Sequence, residues 1–465
     1  MKIDIFKGTL IYTFCNVFIS GLAVITSPIF TRLMSVSDYG IYSLFNSWTN
    51  MIFCVTSLGL SYTIAPAYNK YRANFDDYTA FSIVFASIIP ILLLFITMLG
   101  CDGWFSEILN LPIELIEYLW LGLFFYTIFD ISCNKFTIIG ASKKYAILSV
   151  SKALFTTLIS ICFILNFDKP SYYGRTLGAV IISTVICVPI IIDNVKLFPI
   201  HIDREKIKFS LYVGTPMIFH GLAMIALGQI DRIMISEFFS AEETGLYSYG
   251  YTIGTMVMFL LNASSMAIKP FLYSTYGKNN SDIARQMDNM VDFMFYACVL
   301  FLLMTPEVAK LLAAPQYWGT ISFVHPIVAG CFCQYVYSYY CTFETILSKT
   351  KYIALGSIVA SLLNLLLNYF LFGIYDFEIA AVTTFLGYFF LMIFHMLICR
   401  IVCRQKDIEY MRFVKYTISF LLISYVISYF TSYVLIRYVM LVVMLIVGYK
   451  KYTDKVNFIL NKIKI

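Results

Sequence analysis

The sequence predicts an all-α integral membrane protein, with two parallel six-helix lobes followed by an extra pair of C-terminal helices. Three observations carry that expectation. The chain is 60% hydrophobic and only 13% charged, with a mean hydropathy of +0.80. A soluble domain carries roughly 25% charged residues, so a chain this apolar needs lipid as its solvent. Apolar runs that reach the roughly 20 residues of a spanning helix recur along its length, about fourteen in all. The third observation is an internal repeat. GLAVITSPIFTRLM (21–34) stands against GLAMIALGQIDRIM (221–234), with Arg32 opposite Arg232. After an insertion, 235–239, SVSDYGIYS (35–43) faces SAEETGLYS (240–248).

The first lobe, 1–200, holds the expected spans 8–30, 41–64, 79–100, 114–134, 146–166 and 176–194. The second, 205–405, holds 209–235, 246–268, 287–312, 320–345, 353–373 and 378–400. Two more, 412–430 and 433–449, fall in an unrepeated segment, 410–449. The remainder, 450–465, is a basic tail expected to lie on cytoplasmic headgroups. MKIDIFKGTLIYTFC at the N-terminus mimics a signal peptide. Its apolar run continues to Phe30 and belongs to the repeat, so it reads as an uncleaved first span.

The repeat persists beyond its best-preserved stretch. FTIIGASKKY (136–145) resembles FETILSKTKY (343–352), and Gly178-Ala179-Val180 resembles Ala380-Ala381-Val382. Ala267 to Pro270 is a weaker echo of Tyr62 to Pro66. An even number of spans per lobe makes both lobes enter the bilayer from the same side, which defines parallel repeats. Positive charge tests this arrangement. With both termini cytoplasmic, all of the 33 Lys and Arg residues fall inside except Arg32, Lys169, Arg175, Arg232, Lys310 and Arg437. The outer loops are acidic or bare.

Polar residues recur at helical spacing in several spans. The second carries Ser43, Asn46, Asn50, Ser57 and Ser61; the fourth, Asp130, Asn134 and Thr137. The fifth carries Ser149, Lys152, Thr156 and Ser160; the eighth, Asn262, Ser265 and Lys269. The eleventh carries Ser357, Ser361, Asn364 and Asn368. Any one such stripe is explained by helix–helix hydrogen bonding. Together they suggest a hydrated cavity shared by the lobes, with Asn46, Asn50, Asn262 and Asn364 as substrate contacts. Lys135, Lys152 and Lys269 toward the cytoplasm, with Arg32 and Arg232 toward the outside, form a cationic path for an anion. Phosphate fits such a path, because guanidinium groups bind it bidentately and ammonium groups attract it as point charges. The competing reading makes these charges snorkelling anchors. Asp231, beside Arg232, and Asp130 are the gating or coupling carboxylates.

Other chemistry is excluded. The twelve cysteines show no pairing pattern, and the C-x-C at Cys331 and Cys333 lacks a second ligand pair. The four histidines are far apart in sequence, so no metal site is expected. No Walker A motif or hydrolytic constellation occurs, which argues against an enzyme and against nucleotide as energy source. No cofactor is expected beyond an H⁺ or Na⁺ coupling ion, and no nucleic-acid partner. Gly214, Gly221 and Gly228 recur every seven residues and predict a smooth face for close helix packing.

Gln229-Ile230-Asp231-Arg232-Ile233-Met234 followed by Gly245-Leu246-Tyr247-Ser248 resembles a signature of polysaccharide-biosynthesis membrane proteins, the Wzx-type O-antigen and capsule flippases of the MOP superfamily. Pro28, Arg32 and Leu33, then Asp38 to Tyr42, carry the N-terminal part of the resemblance, and GASKKY (140–145) an inner loop. The resemblance implies a MOP/MATE-like fold in a bacterial inner membrane. It implies alternating-access flipping of an oligosaccharide on undecaprenyl pyrophosphate, from the cytoplasmic to the periplasmic leaflet. Membrane lipids, and a downstream polymerase with its chain-length protein, are the implied partners. The rival readings are a multidrug or cation antiporter of the same superfamily, a flippase for the peptidoglycan lipid precursor, and a membrane-embedded glycan polymerase.

Overall fold

A computed structural model describes the backbone of residues 2–197, 200–405 and 408–463, and the side chains of these residues except 2–7, 9, 10, 267 and 454–463. Lys2, Lys7, Lys406 and most of the expected basic tail fall outside the described side chains. Within the described residues there are seventeen α-helices and no strand. In order they are α1 (Lys2–Leu33), α2 (Val36–Thr56), α3 (Leu60–Lys70), α4 (Phe75–Ile96), α5 (Asp102–Leu109) and α6 (Ile116–Ile138). Next come α7 (Ser142–Asn166), α8 (Ser171–Val195), α9 (Arg204–Phe238), α10 (Ala241–Thr255), α11 (Met258–Thr275) and α12 (Asn280–Leu312). The chain ends with α13 (Val324–Ile346), α14 (Lys351–Leu371), α15 (Ile379–Ile401), α16 (Tyr410–Tyr429) and α17 (Val434–Ile463).

Twelve helical stretches among the described residues are long and apolar enough to cross a membrane, and the bent pair α2–α3 makes thirteen. The expected fourteen is not reached on this measure. The last expected span, 433–449, is helical within α17 but is not among the twelve.

The chain packs into two compact units. One is Met1–Ser248 with Leu312–Tyr317; the other is Tyr249–Leu311 with Trp318–Ile465. Packing gathers α9, which opens the second repeat, into the first unit, where it lies against α2 and α3. The division of the repeats near 200 and the division by packing near 248 therefore differ by one long helix.

In the first unit the second span is broken. Leu58 and Gly59 both take left-handed backbone angles, φ 52° and 65°, and α2 and α3 meet at 40°. Gly59 suits that geometry because it has no Cβ to clash. The glycine face predicted on α9 fits against the break. A Cβ on Gly214 would sit 2.6 Å from the Leu58 carbonyl oxygen, and one on Gly221 3.0 Å from Cys54 Sγ and from the Tyr62 hydroxyl.

The two copies of the repeat also pack on each other through equivalent residues. A Cβ on Gly40 would lie 1.8 Å from the Ala241 carbonyl oxygen, and one on Gly245 would lie 2.0 Å from the Val36 carbonyl oxygen. Gly40 aligns with Gly245, and Val36 with Ala241. The first turns of α2 and α10 thus cross in backbone contact about a local pseudo-two-fold. Serine starts both helices. Ser35 Oγ accepts the Asp38 N–H at 3.0 Å, and Ser240 Oγ accepts the Glu242 N–H at 3.1 Å, satisfying amides that a helix start leaves open.

In the second unit α13 is the most enclosed helix. It presents Gly330 to α15, where an added Cβ would meet Tyr388 and the Phe385 backbone at ordinary contact distance. The Tyr335 hydroxyl pairs with Ser264 of α11 at 2.7 Å. Arg437, an exception to the charge bias, is tied down here. It is 2% exposed, donates to both Glu307 oxygens at 2.6 Å and to the Leu303 carbonyl at 2.7 Å. Glu307→Gln is expected to destabilise the protein by about 3–5 kcal/mol, because it strands a buried guanidinium. Thermal unfolding of the solubilised protein checks this, and the double change Arg437→Met with Glu307→Leu is expected to recover most of the loss.

Candidate functional site

Within the first unit the polar residues of α3, α6 and α7 converge. Asp130 and Asn134 lie one turn apart on α6, so both face α3 and α7. The Asp130 carboxylate accepts from the Ser61 hydroxyl of α3, and from the Asn134 amide at 3.2 Å. Lys152 of α7 enters the same region. Its ammonium lies 3.9 Å from the Phe129 ring centroid and 5.0 Å from that of Tyr126. It makes no salt bridge among the described residues, although the Asp130 carboxylate is near enough for each charge to feel the other. Lys152 is therefore a half-buried cation held over two aromatic faces, with no hydrogen bond from its ammonium among the described residues.

The other expected cations differ. Lys135 is committed to Asp76, 2.6 Å away, so it does not join Lys152 as a second open charge. Arg32 is exposed and donates to the Pro28 carbonyl at 2.9 Å, one turn back on its own helix. Arg232, its repeat partner, makes the equivalent bond to Gly228 at 2.8 Å but is buried at 8% exposure. It also reaches Gln229 Oε1 at 3.2 Å, which accepts from the Ser47 hydroxyl of α2 at 2.9 Å. Asp231 is fully buried and accepts from the Tyr247 hydroxyl at 2.5 Å. Asn46 bonds to the Tyr42 carbonyl of its own helix at 2.9 Å, and Asn50 is half-buried.

In the second unit Lys269 is half-buried on α11 and its charge is felt at Cys341 of α13. Asn262 is exposed. Asn364, expected as a substrate contact, lies on α14. It is fully buried, and its amide donates to the Thr383 and Thr384 hydroxyls of α15, both at 3.3 Å. Thr383 also donates to Asn368. Asn364 and Asn368 thus form a polar seam between α14 and α15, while Ser357 and Ser361 bond to carbonyls of their own helix. Asn364→Val is expected to lower thermal stability by about 1–3 kcal/mol through the orphaned threonines, with transport per folded molecule unchanged. Unfolding and transport assays on the same preparation check both halves.

Two arrangements escaped the sequence reading. Arg175 of α8 is boxed by rings, 3.9 Å from the centroids of Phe30 and Tyr42 and 5.3 Å from that of Tyr39. In the second unit, Glu344 of α13 and His395 of α15 are both fully buried and meet at 2.7 Å, Oε1 to Nδ1. Cys341 lies beside them, with one donor atom from each of the three residues within 4.8 Å of the others. A signal for Glu344 was present. The aligned repeats put it opposite Thr137, a carboxylate where the first copy has a hydroxyl.

A family model described as polysaccharide biosynthesis protein matches residues 5–275. A Lsg locus protein of Haemophilus influenzae is 22% identical over 338 residues, which cover 68% of this chain and 78% of that protein. Among solved structures, the inward closed conformation of the lipid II flippase MurJ superposes with a TM-score of 0.69 at 14% identity, covering 96% of this chain and 100% of the other. An inward-facing multidrug resistance MATE family transporter of the MOP superfamily superposes with a TM-score of 0.68 at 15% identity, covering 83% and 94%. The expected MOP/MATE-like all-α membrane fold is thereby shown.

Proposed function

The chain belongs to the polysaccharide biosynthesis protein family, and we propose that it flips an oligosaccharide carried on a polyprenyl diphosphate from the cytoplasmic to the outer leaflet of the bacterial inner membrane. It is a multi-pass membrane protein whose family and fold neighbours are flippases and transporters rather than catalysts. The observation that carries the proposal is Lys152, a half-buried ammonium whose donors are unpaired among the described residues, beside the polar groups of Asp130, Asn134 and Ser61. A diphosphate supplies the anionic oxygens such a group lacks, in surroundings where a charge-assisted hydrogen bond is strong. Lys269 and the repeat pair Arg32 and Arg232 are the further contacts along the path, and access alternates between the two leaflets. O-antigen or capsule is the polymer served, with a polymerase and chain-length protein downstream.

The antiporter reading has one specific observation in its favour. Asp231 is a fully buried carboxylate on α9, the kind of group that binds a cation. The lipid II flippase match keeps the peptidoglycan precursor as a second rival substrate. Deletion of the gene, followed by surface-glycan staining and extraction of lipid-linked intermediates, separates the three. Loss of polymer with oligosaccharide-diphospholipid accumulating on the cytoplasmic side is the expected result. Normal glycan with altered sensitivity to cationic drugs favours the antiporter, and arrested peptidoglycan synthesis favours the other flippase.

A further inference from the structure

We propose that the second unit carries a sugar-binding pocket at its outer end, separate from the charged groups along the substrate path. Its role in export rests on the flippase reading; its capacity to bind a sugar stands on observations of its own. A cavity of about 660 Å³ opens between the starts of α13 and α15 and the last turns of α16. Small-molecule sites measure roughly 300–1,000 Å³. The α14–α15 connection contributes Tyr375 and Asp376 to the lining, and the charge bias assigns that connection to the outer side.

The lining matches the two-sided character of a sugar ring. A pyranose presents carbon-bound hydrogens on its faces and hydroxyls around its edge. For the faces, Tyr375 and Tyr425 line the cavity as exposed rings, and neither has a ring partner among the described residues. Such rings offer broad apolar contact with a polar tip. For the hydroxyl edge there are two carboxylates. Glu378 accepts from the Ser322 hydroxyl through Oε1 at 2.9 Å, and its other oxygen is unpaired among the described residues. It is the N-cap residue of α15 yet makes no capping bond with its side chain. Asp376 makes no ion pair or side-chain hydrogen bond among the described residues. A carboxylate accepts from two neighbouring hydroxyls at once, and such charge-assisted bonds are roughly twice as strong as neutral ones.

Deeper in the same cavity lies His325 of α13. It is 5% exposed, and its Nδ1 has no hydrogen-bond partner among the described residues. A buried ring nitrogen left without a partner is costly. A hydroxyl that enters the cavity satisfies it as donor or as acceptor.

The charges argue against two other ligands. Among the described residues no Lys or Arg lines the cavity, so a phosphate finds no cation there and the diphosphate engages elsewhere. For a cationic ligand the carboxylates are poorly placed, because both are exposed and ion pairs in water are screened and weak. A neutral hydroxylated ring uses the same carboxylates as acceptors and gains the two tyrosine faces as well.

The test is ligand binding to the full-length protein in detergent, read by saturation-transfer difference NMR. The probes are methyl glycosides of a hexose, a 6-deoxyhexose and an N-acetylhexosamine, with tetraethylammonium and glycerophosphoethanolamine as the cation and lipid-headgroup alternatives. At least one glycoside is expected to bind with a millimolar Kd. Tyr425→Ala is expected to weaken it about 3–10-fold, and Asp376→Asn about tenfold. Tyr425→Phe keeps the ring and is expected to bind as the wild type does. Both side chains are exposed, so the substitutions leave the fold intact. A protein that binds none of the glycosides, or binds them equally well in Tyr425→Ala and Asp376→Asn, overturns the sugar site. Tetraethylammonium or glycerophosphoethanolamine bound in place of the glycosides, with the same sensitivity to the variants, marks a cation or headgroup pocket and overturns it too. Normal surface glycan from Tyr425→Ala in a deletion background overturns the pocket's part in export. Should the gene deletion refute the flippase reading while glycosides still bind, the pocket itself survives that failure.

Discussion

Replacing Lys152 by Glu is expected to abolish export of surface polysaccharide while the protein remains in the membrane at its normal level. The wild-type ammonium lies against two aromatic faces and makes no salt bridge among the described residues. Losing one charge-assisted hydrogen bond to a diphosphate costs about 1.5–3 kcal/mol, and the new carboxylate adds repulsion of the substrate and of Asp130. The combined effect corresponds to a loss of roughly 100-fold or more in transport. Lys152→Arg keeps the charge and is expected to retain partial activity, whereas Lys152→Met is expected to fall between Arg and Glu. Surface glycan per membrane-embedded molecule, measured in a deletion background, is the readout. Full polysaccharide in Lys152→Glu rejects this residue as a substrate contact. Lys269→Glu is expected to act in the same direction.

The second large effect is structural. Gly40→Leu or Gly245→Leu is expected to leave little folded protein, and even Gly40→Ala is expected to lower the unfolding temperature clearly. The atoms in the way are backbone carbonyl oxygens, 1.8 Å and 2.0 Å from the added Cβ, and no side-chain rotation relieves them. The first turns of α2 and α10 have to separate, which costs at least the roughly 1–3 kcal/mol of ordinary overpacking. Gly21 is the control, because a Cβ there meets nothing within 4 Å. Gly21→Ala is expected to be silent, although its repeat partner Gly221 is crowded by Cys54 and Tyr62. Thermal shift of the solubilised variants by size-exclusion chromatography compares them. Equal stability of Gly40→Ala and Gly21→Ala contradicts the proposed crossing.

These effects show which parts of the molecule were legible in the sequence. Hydropathy and the repeat predicted most of the spanning segments and their order, because burial in lipid is set by local composition. The repeat aligned Gly40 with Gly245, but their mutual contact is a tertiary fact that alignment alone does not contain. Polar periodicity on the eleventh span did not say what the stripe faces. A stripe has the same spacing whether it faces water or the hydroxyls of a neighbour, and Thr383 and Thr384 lie a loop away on α15. The break at Leu58 and Gly59 hid in a run that is apolar enough to read as one straight span. Glu344 with His395, and Glu307 with Arg437, are joined across long stretches of chain, where spacing carries no information. Lys152 was legible as a cation inside a span, but nothing local revealed that the rings of Phe129 and Tyr126 lie against it.

The most direct measurement of the central claim is reconstitution. The purified protein is placed in proteoliposomes containing a fluorescent oligosaccharide on a polyprenyl diphosphate, and an impermeant quencher reports the leaflet. Lipid-diphosphate flipping by the wild type, lost in Lys152→Glu, is the predicted result. Vesicles that hold folded wild-type protein and leave the lipid in its original leaflet under either direction of pH gradient would contradict a flippase acting on this substrate class.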